Sequence, residues 1–525
     1  MDRLVTFDCF DTVITRAVGA PSSVGHVVAR RLAAAGVVEV EGARYVELRS
    51  AAASMVFRRC GDDHDLDDIA VQLADLLGLE AATAAELARV ELEVERELSR
   101  EVPGARALVE EARASGAQVG FLSDTPLPHD VVAGLLTAAG LLQDGDLLWV
   151  SNELRAGKER GTAYFEVARR LGGAPADWRH VGDDARADVK MARLSGVVPQ
   201  ERGGGRLNRY ERRLDAAAAA TGGFSSLLSG ASRRTRLLVR ERRPDAPRAE
   251  VAVLAGVAAP LLVGYLLWAL RQAERAGAST VLVGAGADDP ALLVAQRLAA
   301  ALGTGLTVTA QEGGARGGPR AAVVTTGWHG PRDAAAGASS AAGAEPLVEL
   351  RWQVGASTGT PAGSSTSVRG YLQDVSRGTG AAALPDDLAV PLEVLTGAVP
   401  SATAPLLREV LDGFCDELLL DVLDPLQDVR VATWAVLQAF WSAPEDEEAR
   451  VWARVLGSAE LLEPAAPWRA AAAATAPPLG RLRLSWSRRV GGATRKVARA
   501  RHFAAGRRSA RRRGRGDPAG VVAAA

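Results

Sequence analysis

At 525 residues the chain is too long for one core, and a prior of roughly 150 residues per domain points to three or four units. Lys+Arg 62 nearly cancels Asp+Glu 63, yet Arg481 to Gly516 is basic without a single acid, so a body of roughly −15 precedes a basic tail. The cysteines at 9, 60 and 415 form no Cys-x-x-Cys pair, which excludes a disulfide framework and a structural zinc site. Met1-Asp2-Arg3 runs straight into the first strand, so no signal peptide is expected and a reducing cytoplasm is the expected compartment.

The first element is the apolar run Leu4-Val5-Thr6-Phe7, a buried strand that ends in Asp8-Cys9-Phe10-Asp11-Thr12. Charged groups are thereby delivered to the carboxyl-end rim of a sheet, where open α/β sheets bind ligands. Helical periodicity follows over Val24 to Ala35, Ala43 to Arg59, Leu66 to Leu77 and Ala84 to Val102, an all-α insert ahead of the next strand. That strand, Ala117 to Leu122, stops at Ser123-Asp124-Thr125-Pro126, which can bind an anion or simply cap a helix. A helix near Val131 to Ala139 and a strand Leu147 to Val150 lead to Gly157-Lys158, ahead of the helical run Thr162 to Leu171. The strand Trp178 to Val181 then ends in Gly182-Asp183-Asp184, with Asp188 five residues after Asp183. Clustered carboxylates of this kind suit Mg²⁺, a hard cation held by one or two carboxylates plus substrate phosphate.

Taken in order, Asp8, Ser123, Lys158 and Asp183 resemble the four motifs of the haloacid dehalogenase-like (HAD) hydrolases. The resemblance implies a Rossmannoid parallel sheet over residues 1–200, with the helical insert of about 15–102 as a cap. It further implies that Asp8 is the nucleophile of a phosphatase-type reaction through an aspartyl-phosphate, and that Mg²⁺ is held by Asp8, the Phe10 backbone carbonyl, Asp183, Asp184 and Asp188. Thr12, Ser123, Asp124 and Lys158 are the expected phosphate contacts, Ser123 and Lys158 acting in catalysis as well. The substrate class is a small phosphorylated compound, sugar phosphates included. Phe10 stands where most phosphatases of the family carry a second aspartate, so Asp11 is the candidate substitute acid. A domain without that acid also reads as a degenerate scaffold in surface-polysaccharide biosynthesis, since long HAD-like proteins of polysaccharide gene clusters have a similar second half.

Residues 201–250 read as a linker or loose helical connector, and 251–463 as a second α/β domain with a helical end. Val251 to Leu270 carries no charge and is long enough to cross a bilayer. Pro260, Gly256, Gly264 and the charged Arg271 to Arg275 favour a buried helix instead. Strands are expected at Ser279 to Val283, Gly305 to Thr309 and Ala321 to Thr325, with a glycine loop from Gly284 to Asp289 and a helix Pro290 to Leu302. His329 beside Trp328 is a minor candidate group. Further helices are expected around Leu406 to Leu420, Val429 to Trp441 and Glu445 to Leu456. Residues 464–525 read as an Ala/Pro linker and a disordered basic tail that contacts a polyanion or an anionic membrane, peripherally. Its sparse aromatics give no expectation of specific nucleic-acid recognition.

Overall fold

The structure, a computed structural model, describes residues 3–284, 289–311, 320–325, 347–351, 367–371, 404–425 and 427–449. The glycine-loop positions 285–288, His329 with Trp328, and the basic tail lie outside the described residues. Met1–Ala443 form one unit and Pro444–Ala525 another.

β1 (Arg3–Phe7) is the middle strand of a parallel sheet. Its neighbours are β4 (Gln118–Ser123) and β6 (Asp177–Gly182), with β5 (Leu147–Val150) and β7 (Val198–Glu201) outside them, in the order β5-β4-β1-β6-β7. Phe7 is level with Phe121 on one side and Val181 on the other, so the three central strands end together and their next residues share one rim. A middle parallel strand is covered on both faces, which is why Leu4, Val5 and Phe7 are all buried. β4 and β5 are added on one side of β1 and β6 and β7 on the other, so the winding order switches beside β1 and makes this rim the topological switch point.

The chain leaves the sheet through β2 (Ile14–Arg16), builds α1 (Val24–Ala34), α2 (Gly42–Cys60), α3 (Leu66–Leu77) and α4 (Ala84–Leu98), and returns through β3 (Ser99–Glu101). The start and stop of α3 are locally written: the Asp65 carboxylate accepts from the Asp68 N–H at 2.9 Å, and Gly78 closes the helix at φ 70°. α4 is shorter than its apolar period suggests. Ser99–Glu101 instead pairs antiparallel with β2, Ile14 opposite Glu101, a partner that local periodicity cannot report. The Leu66 N–H donates to the Pro126 carbonyl at 3.0 Å, tying the helical module to the segment after β4.

The sheet is flanked by α5 (Ala105–Ala114), α6 (His129–Ala138), the single turn α7 (Ser151–Leu154), α8 (Thr162–Arg170), and a π-helical turn Ala185–Met191 running into α9 (Ala192–Leu194). Leu122, Trp149, Tyr164, Val167 and Trp178 pack together beneath them.

Residues 201–250 are not a linker. They hold α10 (Arg209–Ala216) and α11 (Phe224–Arg242), and α11 is buried through most of its length although the buried set includes Ser225, Ser226, Ser229, Ser232 and Arg233. α12 (Arg248–Val253), a π-helical turn Leu254–Ala258 and α13 (Ala259–Arg275) make one apolar run. It is long and apolar enough to cross a membrane, its most apolar 18 residues having a mean hydropathy of 2.1, and 89% of those 18 are buried inside the chain. Pro260 sits in the first turn of α13, directly after the π-helical turn at which the run changes its hydrogen-bond register.

A second parallel sheet follows, in the order β12 (Ser367–Gly370), β11 (Val348–Arg351), β10 (Ala321–Thr325), β8 (Thr280–Gly284), β9 (Thr307–Gln311). α14 (Pro290–Ala301), capped by Asp289, and α15 (Ala404–Glu417) and α16 (Arg430–Ser442) pack with α11 and α13 around it. The expected helix Glu445 to Leu456 lies largely outside the described residues.

Candidate active site

Asp8 is the first residue past β1. Its N–H donates to the Val181 carbonyl at 2.8 Å, which continues the ladder one step and fixes where the carboxylate leaves the sheet. Oδ2 accepts from the Thr12 hydroxyl at 2.9 Å and Oδ1 from the Lys158 ammonium at 2.5 Å. Asp8 is only 7% exposed. Burial pushes its carboxyl up to about 7 against the pull of Lys158, with Asp188 and Asp183 adding repulsion.

Lys158 precedes α8 and is 2% exposed. Its ammonium also lies 2.8 Å from Asp188 Oδ1. Burial alone would lower its pKa, but Asp8, Asp188 and Asp124 hold it well above the ordinary lysine range. Asp188 hangs from the π-helical turn. Burial favours its neutral form, yet Lys158 and His180 together hold its carboxyl below the usual range. Oδ1 faces His180 Nε2 at 3.1 Å and Oδ2 accepts from the Asp184 N–H at 2.9 Å. A Cβ at Gly182 would collide with Asp188, so glycine there is what allows the turn to fold back onto the strand end. His180 is fully buried, its Nδ1 2.9 Å from the Thr6 hydroxyl, and burial lowers its pKa.

Asp183, directly after β6, is half-buried. Burial raises its pKa while Arg206, donating from Nε to Oδ2 at 2.9 Å, opposes the rise. Carboxylate oxygens of Asp8, Asp183 and Asp188 all lie within 4.8 Å of one another. The Lys158 ammonium and the Arg206 guanidinium set two positive charges against three carboxylates, which leaves the site short of positive charge, and hard oxygen donors at this separation fit a divalent cation such as Mg²⁺.

Residues 3–196 match the family model of the haloacid dehalogenase-like hydrolases. This part of the chain is a HAD-like hydrolase domain. Among solved structures it is similar to magnesium-bound YfnB from Bacillus subtilis, at 17% identity and a TM-score of 0.29, over 37% of this chain and 86% of that one. It is also similar to a 2-haloacid dehalogenase from Pseudomonas syringae pathovar tomato, at 24% identity and a TM-score of 0.29, over 38% of this chain and 84% of that one. A HAD phosphatase from Thermococcus onnurineus is similar at 23% identity and a TM-score of 0.27, over 38% and 84%. No curated protein matches the chain.

Within the HAD-like domain the structure brings Asp8, Thr12, Lys158, Asp183 and Asp188 to one rim. Ser123, at the end of β4, is buried, and among the described residues its hydroxyl has no hydrogen-bond partner beyond the weakly polar Cys9 thiol. Thr12 spends its hydroxyl hydrogen on Asp8 Oδ2 and so braces that carboxylate. Asp124 accepts from the Lys158 N–H at 2.8 Å and so braces the lysine turn; its carboxylate is occupied with backbone rather than facing an anion. Asp184 is exposed and caps the π-helical turn through the Arg186 and Ala187 N–H groups, outside the carboxylate cluster. Asp11, the candidate substitute acid, is already held by two donors. It adopts φ 58°, and its Oδ1 accepts from Thr15 at 2.8 Å and from Arg233 at 3.0 Å. The Phe10 ring lies under the Arg16 guanidinium, 4.1 Å from its centre.

Three groups that sequence reasoning missed complete the site: His180, Arg206 and Arg233. His180 faces inward from β6 in alternation with exposed Arg179, a readable signal for burial though not for its contact with Asp188. Nothing local marks the two arginines, which reach the rim from more than twenty residues away along the chain.

Proposed function

We propose that the domain is a Mg²⁺-dependent phosphohydrolase working through an aspartyl-phosphate. Asp8 attacks phosphorus, a P–O bond forms to its carboxylate as the ester oxygen departs and takes a proton from solvent to leave as the alcohol, and water then attacks the acyl phosphate, releasing inorganic phosphate and restoring the Asp8 carboxylate. The observation that carries the reading is the gathering of oxygens of Asp8, Asp183 and Asp188 within 4.8 Å of one another, against the buried Lys158 ammonium and the part-exposed Arg206 guanidinium. Mg²⁺ held by Asp8 and Asp183 would supply the missing positive charge beside the phosphoryl oxygens. Lys158 keeps its proton and offers it to one of those oxygens, and the unpartnered Ser123 hydroxyl is free to donate to another. A pocket of about 350 Å³ between the helical module and Thr125 to Leu127, lined mainly by apolar groups and by the mutually paired side chains of Arg16 with Glu95 and Arg49 with Glu91, has room for the organic part of a small phosphoester.

The test is turnover of 4-nitrophenyl phosphate by the full chain with and without Mg²⁺, beside Asp8→Asn. Metal-dependent turnover that the substitution abolishes supports the proposal. A second reading, a domain that binds a phosphorylated ligand without turning it over, is favoured by Phe10 in the acid position and by Asp11 being held by Thr15 and Arg233. That reading predicts no turnover across a panel of phosphoesters while Mg²⁺ still raises the melting temperature.

A further inference from the structure

The helical module α1 to α4 is joined to the sheet by an outgoing crossing at residues 13–20 and a returning one at 99–103. Movement of the module relative to Asp8 must be taken up in those segments, because a hinge is a short stretch whose dihedrals are free to change. Here both are held by residues that follow the family match, which ends at 196.

Arg233 of α11, 1% exposed, donates through Nη2 to the Arg16 and Val18 carbonyls at 2.8 Å each. Through Nη1 it donates to Asp11 Oδ1 at 3.0 Å and the Gly205 carbonyl at 3.2 Å. The Gly19 N–H donates to the Ser226 carbonyl and hydroxyl, and the Ala20 N–H donates to Asp215 Oδ1 at 2.9 Å. A Cβ at Gly230 would collide with the Ala17 carbonyl, so α11 lies directly against the outgoing strand. On the returning crossing, Arg234 donates to the Glu101 carbonyl and pairs with Glu417 of α15 at 2.9 Å. Arg202 reaches the Pro103 carbonyl at 3.4 Å.

We infer that α10 and α11 latch both crossings of the helical module, with the adjacent arginines Arg233 and Arg234 as positioning residues for the outgoing and returning strands. The arrangement over Asp8 is therefore a property of the whole 1–443 unit, and the module stays closed over the rim. Arg233 does a second task in the same geometry: by holding Asp11 it fixes the turn that carries Asp8, Phe10 and Thr12. A planar guanidinium suits this role because it delivers several donors in fixed directions, which an ammonium cannot.

The test is amide hydrogen exchange on the full chain, comparing wild type with Arg233→Lys and Arg234→Gln. Slow exchange at 13–20 and 99–103 is expected in the wild type. Each substitution should speed exchange in the crossing it holds by about tenfold or more, with α13 unchanged as the sign of an intact fold. Crossings that exchange in the wild type as fast as the exposed turn at Gly172 and Gly173, or that neither substitution affects, would overturn the latch. Should the buried Arg233 variant unfold, the less buried Arg234 variant still decides the returning crossing. With 4-nitrophenyl phosphate, Arg233→Lys should lower kcat with KM within about twofold, and Arg233→Met should lower kcat further. Equal losses in both would assign Arg233 no positioning role. Absence of wild-type turnover would count against the proposed chemistry alone, because the exchange measurement does not depend on it.

Discussion

Replacing Lys158 by methionine keeps most of the side-chain volume and removes the ammonium that lies 2.5 Å from Asp8 and 2.8 Å from Asp188. At such separations each attraction is about 6 kcal/mol at an effective dielectric constant of ~20. Desolvation of the buried groups cancels much of that, and breaking a buried pair from one side leaves a net loss of about 3–5 kcal/mol. Asp8 is already pushed up to about 7 with the lysine present, so without it the carboxyl stays protonated at neutral pH and is no longer a nucleophile. The expected result is loss of turnover together with a melting temperature lower by roughly 10 °C, at about 2–4 °C per kcal/mol. Mg²⁺ should recover more of this loss in the variant than it adds to the wild type, because the cation replaces the missing charge. Asp8→Asn makes the opposite prediction for stability. It removes one of the carboxylates crowding a single ammonium, so turnover should vanish while the melting temperature holds or rises. Scanning calorimetry on both variants, with and without Mg²⁺, separates the two. A Lys158→Met melt within a degree of wild type, or an Asp8→Asn melt as low as that of Lys158→Met, would refute the reasoning.

Phe10→Asp puts a general acid two residues past the nucleophile and should raise Mg²⁺-dependent turnover by about 10²-fold or more in steady-state assays; an unchanged rate would mean that another group limits the reaction. Arg206 competes with a cation for Asp183, and its side chain is 40% exposed, so Arg206→Ala should cost under about 1 kcal/mol in stability while tightening Mg²⁺ binding several-fold by calorimetric titration. Burial lowers the pKa of His26 and His180 from 6.5, so both fold neutral. Below 6.5 the unfolded chain binds more protons than the folded one, and stability should fall as pH drops through that value toward the lower folded values, with no such loss above it. Melting curves of His26→Gln against wild type across that window should show the flatter profile in the variant.

The parts of the fold that were legible in the sequence are those whose cause is local. α3 and β5 appear at the residues their apolar patterns mark, α3 between an aspartate cap and a glycine stop. The polar ends of β1, β4 and β6 are local as well, and parallel pairing brings them to one rim without further information. β3 was hidden because Ser99–Glu101 continues the helical period of α4 and becomes a strand only when Ile14 to Arg16 lies beside it. α11 was hidden for a different reason. Hydropathy reads Ser226, Arg233 and Arg236 as solvent-facing, whereas they are buried and satisfied, Arg236 by the Glu211 carboxylate at 2.6 Å and Arg233 by the carbonyls of the outgoing crossing.

Asp11 shows what residue type leaves undecided about a site. An acid three positions past Asp8 is chemically able to replace the absent aspartate, and its side-chain chemistry alone argues for that task. The backbone at φ 58° belongs to the left-handed region that aspartate tolerates better than most residues, so the position selects for turn geometry as much as for charge. Its carboxylate is then claimed by Thr15 and by an arginine 222 residues further along the chain. Whether a carboxylate is a catalyst or a structural anchor is decided by which donors reach it, and here the deciding donor comes from a helix outside the matched domain. The same holds for Asp183, whose free or paired state turns on Arg206. A reading confined to residues 3–196 would therefore see Asp8 beside Lys158 but not the arginines that hold Asp11 and Asp183, because both lie beyond its end.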